Sequence, residues 1–296
     1  MKNNIISGII VAVLGIGFSS CSEENPAIPE TTPSGKLKMA FNFSHPSTRA
    51  TETAFETGDM VGLYVSKSDS PLEIAGNVVN NEKVTFNGSS WDLSRQLYWD
   101  NGNYNAYGYY PYAGDVSSIS DFPYSVETDQ SIAASGQYLS GYEKSDFLYA
   151  SAKGIEASDK PVNLSFRHIM SKISIRMIKG EDYEGELPEK ADVYIHNTVP
   201  SATIDLSVGI ATKNPKGVQK TIKARPSGFS TYSAIVVPQR LENRVPLIEV
   251  VMNGVSYLYE SKFLFKQGIH HVVNLVIDKN PDQIKIEIGG EITDWN

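Results

Sequence analysis

From residue 37 onward apolar side chains recur at every second position, and this period of two constrains the fold more than any other feature. Leu37, Met39, Phe41 and Phe43 alternate with Lys38, Ala40 and Asn42. An extended strand points successive side chains to opposite faces, so such a run predicts a strand with one face against a core. The style returns over 60–65, 84–86, 104–110 and 146–150. It recurs in the second half over 162–166, 172–178, 193–197, 233–237, 248–252, 255–265, 270–277 and 284–288. Asn87-Gly88-Ser89 and Asn101-Gly102-Asn103 separate strands with turn-forming residues. No amphipathic helix longer than two turns is legible. Many short strands joined by turns predict an all-β chain of antiparallel β-sandwiches. The length suits two tandem domains, divided near Ser158-Asp159-Lys160-Pro161 into sandwiches over 36–160 and 161–296.

The first residues set the expected compartment. Lys2 supplies a positive n-region, and 5–18 is uncharged and mostly apolar. Ser19 and Ser20 are small residues leading into Cys21, so 1–20 has the form of a cleavable signal. The apolar run falls short of the roughly 20 residues a membrane span needs. Cys21 is the only cysteine, and acylation at the mature N-terminus is the fate its position suggests. The simpler alternative is an ordinary secretory signal with Cys21 incidental. Phe18-Ser19-Ser20-Cys21 resembles the lipobox of bacterial lipoproteins, and the acidic Ser22-Glu23-Glu24-Asn25 resembles the surface-export signal of Bacteroidetes lipoproteins. Residues 21–35, with Pro26, Pro29 and Pro33, read as a flexible tether. The expected location is the cell surface, on the outer membrane through a lipid anchor.

Charge and motifs exclude several classes of function. With 26 Lys and Arg against 34 Asp and Glu the formal charge is -8. Nucleic acid is therefore not an expected partner, because binding it rests on neutralising phosphates. The five histidines, His45, His168, His196, His270 and His271, are scattered, without HExxH or a Cys/His zinc spacing. No GxSxG elbow or phosphate-cradling glycine loop is present. No catalytic residue, metal ligand or cofactor is assigned, and an enzyme is not expected. His168 shares strand parity with Leu164 and Phe166, which favours a buried, backbone-bonded histidine over a metal ligand. His270 and His271 point to opposite faces of one strand and make a poor clamp.

An aromatic cluster runs from Trp91 through Tyr98, Trp99, Tyr104, Tyr107, Tyr109 and Tyr110 to Tyr112. Such rings can stack on sugars, so a monomeric surface glycan-binding lipoprotein is the alternative reading. Alternation, however, puts Tyr107 and Tyr109 on one face and Tyr104 and Tyr110 on the other, which favours packing within a sandwich.

Several stretches, in order, resemble the fimbrillin-like proteins. They are Thr48-Arg49-Ala50-Thr51 followed by Phe55-Glu56-Thr57-Gly58-Asp59-Met60-Val61-Gly62-Leu63-Tyr64, and Tyr98-Trp99 with Tyr104-Asn105-Ala106-Tyr107-Gly108-Tyr109-Tyr110-Pro111. Asp146-Phe147-Leu148-Tyr149-Ala150, 164–172, Val236-Val237-Pro238-Gln239 and Ile292-Thr293-Asp294-Trp295 continue the series. The resemblance implies two transthyretin-like sandwiches in a type V pilus (fimbrium) subunit or accessory protein of Bacteroidetes. It implies export as a lipoprotein, removal of an N-terminal segment by an Arg-specific protease, and polymerisation by donor-strand exchange with other fimbrial subunits. Arg49 and Ala50 sit where the cut would fall; a lone arginine in a loop is otherwise a solvated side chain. The released strand would carry Leu37, Met39, Phe41 and Phe43. The candidate donor carries Ile284, Ile286 and Ile288, which alternate with charges after Asn280-Pro281, and its competing reading is an ordinary last strand. Stalk, tip or anchor role and any surface receptor are left open.

Overall fold

The computed structural model describes residues 35–46, 54–136, 138–279, 285–287 and 292–295. Cys21, Arg49, Ala50, Ile284 and Ile288 lie outside them. In chain order the first half contains β1 (Phe41–Ser44), β2 (Met60–Lys67), β3 (Val79–Phe86), β4 (Trp91–Leu93), β5 (Asn103–Tyr110) and β6 (Phe122–Ser125). Helix α1 (Gly141–Ser145) precedes β7 (Leu148–Glu156), β8 (Val162–Ser165) and β9 (Arg167–His168). The strands order themselves β4-β3-β2-β5-β7-β9 in one sheet, and β1 pairs β8 in a second. β8 and β9 lie beyond Pro161 in sequence, and they pair with β1 and β7.

Alternation explains how the larger sheet is buried on both faces. Val61, Leu63, Val65, Tyr104, Ala106, Tyr110, Leu148 and Ala150 project to one side and pack with Met39, Phe41, Phe43, Leu164 and Phe166. Tyr64, Tyr107, Tyr109 and Tyr149 project to the other, into a second core shared with the C-terminal half. Two glycines make room for rings. A Cβ at Gly62 would lie 2.1 Å from Tyr109 Cε1, and one at Gly108 would lie 3.0 Å from Phe166 Cζ and 3.5 Å from Phe43 Cε1.

The second half contains β10 (Ser171–Lys179), β11 (Asp192–Thr198), β12 (Ser201–Asp205), β13 (Ile210–Lys213), β14 (Lys220–Lys223), β15 (Arg225–Gly228) and β16 (Thr231–Val236). It continues with β17 (Gln239–Met252), β18 (Val255–Phe265), β19 (Ile269–Ile277), β20 (Lys285–Glu287) and β21 (Ile292–Asp294). One sheet has the order β15-β16-β10-β19-β20, with β21 also on β19; the facing sheet is β14-β11-β17-β18. Buried Ile173, Ile175, Ile195, Ile248, Val250 and Leu275 lie in their shared core. The described structure is therefore nearly all β. Pairing is mainly antiparallel, but β1–β8 and β10–β19 are parallel.

Residues 36–296 form one compact unit, and two devices tie its halves together. β6 pairs β12 and β13 follows β12, giving a three-stranded sheet that mixes the halves. Gln130, 1% exposed, uses its side-chain amide to accept from Ile235 N–H at 2.8 Å and to donate to Ile235 O at 2.7 Å. The short helix α1 opens on a capping box. Ser140 Oγ accepts from Glu143 N–H, and Glu143 Oε2 accepts from Ser140 N–H. It ends at Asp146.

Candidate assembly site at the N-terminal strand

The segment from Lys36 to Ser44 is hydrogen-bonded along both of its edges. Odd-numbered residues bond one way: Trp99 N–H donates to Leu37 O at 2.8 Å, and Met39 N–H to Leu97 O at 2.9 Å. Even-numbered residues bond the other way, with Val162 N–H donating to Ala40 O and Phe166 N–H to Ser44 O, both at 2.9 Å. The alternation of backbone groups along a strand accounts for this division. Trp91 Nε1 donates to Phe43 O at 3.2 Å and covers a further carbonyl. Asn42 to Asn163, Ser44 to Ser165 and Lys36 to Asp100 add side-chain links.

Three of the four apolar side chains assigned to this strand are seated. Met39, Phe41 and Phe43 are buried, and Phe43 meets Trp91 edge-on at 4.9 Å and Phe166 at 5.9 Å. Phe41 lies 6.2 Å from the Trp99 ring. Leu37 departs from the expectation at 42% exposure. It precedes β1 and joins only the isolated bridge at Lys38–Tyr98, beyond the reach of the β8 layer. Alternation gives a side chain's direction, whereas burial needs something opposite it. Three buried side chains contribute about 5 to 9 kcal/mol at roughly 1.5 to 3 each, comparable to the net stability of a whole domain. The strand is thus held by its own interactions and by no covalent bond other than its chain connection.

His45 ends this segment. Its ring meets Phe55 at 5.0 Å and His168 at 5.9 Å. Burial pushes its pKa down, which outweighs the hydrogen bond to Pro46 O, so the ring is neutral at neutral pH.

At the other terminus, β20 lies antiparallel to β19 in the same chain, with Ile286 opposite Leu275. β21 follows on the same partner strand, with Ile292 opposite His271. Trp295 is 2% exposed; its N–H donates to Gly268 O at 2.9 Å, and its ring stacks on His168 at 3.8 Å. His168 is fully buried, and its Nδ1 is 2.8 Å from Asp146 Oδ1. Sequence reasoning placed His168 in the core but gave it a backbone partner; a carboxylate brought by the end of α1 takes that place. It also missed Leu97–Trp99 as the second edge of the N-terminal strand. Tyr98-Trp99 was the available signal, read there as part of an aromatic strand.

The aromatic cluster forms no open platform from its central residues. Tyr104, Tyr107, Tyr109, Tyr110 and Trp99 are all buried, so their faces are closed to a sugar. Among the described residues no group of three or more His, Cys, Asp or Glu is placed to hold a metal ion. His270 Nε2 bonds Ser174 Oγ at 2.8 Å, and His271 Nε2 accepts from Lys266 N–H at 3.3 Å. No helix among the described residues is long and apolar enough to cross a membrane.

The sheets packed face to face, with the N-terminal strand seated between two edges, define an all-β sandwich protein. The sequence model of the fimbrillin-like family matches residues 48–295, and the chain belongs to that family. It is a family of fimbrial and cell-adhesion proteins rather than of enzymes. A relative from Bacteroides ovatus carrying the name "Putative fimbrium tip subunit Fim1C" is 28% identical over 57% of this chain. The match covers 34% of that relative, so the chain spans about a third of its length. The fold is similar to that of a cell adhesion protein, so described with the qualifier putative, from Bacteroides ovatus. There the TM-score is 0.67 at 22% identity, over 88% of this chain and 98% of that one. A protein of the same description from Bacteroides uniformis gives 0.66 at 20% identity, over 89% and 99%. At these identities the likeness establishes the fold.

Proposed function

We propose that the chain is a cell-surface fimbrial subunit, of the tip or accessory kind, whose N-terminal strand is a temporary occupant of a seat meant for a neighbour. The observation that carries this reading is the double-edged seating of 37–44 with Met39, Phe41 and Phe43 buried, a short distance before Arg49. On this reading the chain is exported with Cys21 acylated, and the tether over 21–35 holds it at the outer membrane. It presents two sandwiches, with the strands just past residue 160, β8 and β9, paired into the first. Cleavage between Arg49 and Ala50 separates the strand from the body and leaves it bound by contacts alone. Its departure uncovers the β8 edge, the Leu97–Trp99 edge and an apolar groove, and an unpaired edge above such a groove takes an added strand. The run around Ile284, Ile286 and Ile288 of another subunit is the candidate replacement. The name of the Bacteroides ovatus relative supports the tip role and the fimbrial location.

Arg-specific proteolysis of purified protein tests this. Wild type should convert from monomer into a ladder that resists mild denaturant, because exchange between buried strands lies behind an unfolding barrier. Arg49→Ala should stay monomeric, and deletion from Gln283 onward should block the ladder without blocking cleavage. Polymerisation of uncleaved Arg49→Ala at the wild-type rate would defeat the reading.

A further inference from the structure

The two segments that strand exchange would move, one at each end of the chain, meet at a single buried histidine. His168 ends β9, in the large sheet of the first half, where it pairs with Leu148. Trp295 lies flat on its ring, with centroids 3.8 Å apart and planes within 4°. His45, at the end of the seated N-terminal segment, approaches the same ring at 5.9 Å and 77°. Asp146 fixes the His168 ring from the end of α1 through Nδ1. Lys172 Nζ lies 5.6 Å from the Trp295 ring and 5.8 Å from Tyr142, closing a cage of aromatic and charged groups.

The tail needs such an anchor. Among the described residues β20 and β21 each hold β19 through three register pairs, and both lie at the sheet edge, bonded on one side only. Trp295, by contrast, places a large ring in the main core, and its backbone N–H is bonded to Gly268.

We propose that the Trp295–His168 stack is a latch that keeps the C-terminal tail on its own subunit while the N-terminal strand is seated. Removal of the N-terminal segment takes His45 away from His168 and admits water beside a ring that is otherwise fully buried. Water then competes for the polar groups of His168, and the stack loses the enclosure that makes it strong. The tail loosens on the subunit whose seat has just been vacated. The latch rests on the strand-exchange reading for its purpose, but its physical content is a coupling between two segments of one monomer. Such a coupling is reciprocal: loosening either segment must loosen the other by the same factor.

Hydrogen exchange measured by mass spectrometry on the uncleaved, monomeric chain tests it without protease or polymer. His45→Ala should speed exchange of the 285–295 segment about tenfold, the loss expected for one aromatic contact at the hub. Trp295→Phe, which keeps a ring in the core, should speed exchange over 37–44, while the hairpin of β17 and β18 keeps wild-type protection in both variants. Trp295→Ala should have the larger effect, and should it unfold the chain the phenylalanine variant decides. Unchanged tail exchange in His45→Ala, or unchanged exchange over 37–44 in Trp295→Phe, overturns the latch. A latch that behaves as described in a protein that never forms a ladder would remove the assembly reading alone. A ladder formed by a protein whose two segments exchange independently would remove the latch alone.

Discussion

Phe43→Ala is the perturbation that separates a removable strand from an ordinary piece of core. Phe43 is 7% exposed and touches Trp91, Phe166 and Phe41, above the position where Gly108 carries no side chain. Truncating a buried phenylalanine costs about 3 to 5 kcal/mol, since the pocket collapses only partly. That is a large part of the roughly 5 to 9 kcal/mol assigned above to the three seated side chains. With about 1.4 kcal/mol per tenfold change, the population with the strand out should rise between about a hundredfold and a few thousandfold. Hydrogen exchange over 37–44 should accelerate by that factor, while β2, β5 and β7 keep most of their protection. Phe43→Leu, which retains most of the volume, should shift exchange far less. If instead the whole first sandwich exchanges faster and 37–44 shows no selective change, the strand is not an independently releasable unit, and the reasoning about the seat fails.

Other outcomes follow from the same contacts. Gly62→Ala would place a Cβ 2.1 Å from Tyr109 Cε1 and 2.7 Å from its hydroxyl, and should lower stability by about 1 to 3 kcal/mol in a denaturant titration. A wild-type midpoint would show that the Tyr109 ring moves freely. His270 and His271 are pushed down from 6.5 to about 4, chiefly by burial, with Lys172 beside the first and Lys266 beside the second. The unfolded chain therefore binds their protons more readily, so their contribution is intact above pH 6.5 and is lost as pH falls toward about 4. A His270→Asn variant should show a flatter melting-temperature profile across that window, and an unchanged slope would contradict the assignment. Cys21→Ala should move the protein from the membrane fraction to soluble material, and continued fatty-acid labelling of that variant would refute acylation at this residue.

Much of the fold was legible because its cause is local. The alternation at Met39, Phe41 and Phe43 reports a strand and the direction of its side chains, and rings of both parities in β5 report a sheet covered on two faces. What escaped was non-local. The parallel pairing of β1 with β8 joins residues 121 apart, as the Asn42–Asn163 bond shows, and no local pattern encodes such a partner. The exposure of Leu37 depended on what lies opposite it, and the strand's second edge at Leu97–Trp99 lacked a long β run to announce it. The meeting of His45, His168 and Trp295 depends on the C-terminal half folding back on the first, and each residue taken singly reads as ordinary core.

On the proposed reading, the seat of the N-terminal strand passes to a strand from another subunit. A photocrosslinking residue at Val162, which pairs with Phe41 in the monomer, tests it directly in a mixture of isotopically labelled and unlabelled subunits. Before cleavage the crosslink should join Val162 to residues 37–44 of its own chain. After Arg-specific cleavage and assembly it should join Val162 to the 284–288 run of a differently labelled subunit. Crosslinks that still lead only to 37–44 in the assembled polymer would show that the strand never leaves its seat, and that the subunits are joined in another way.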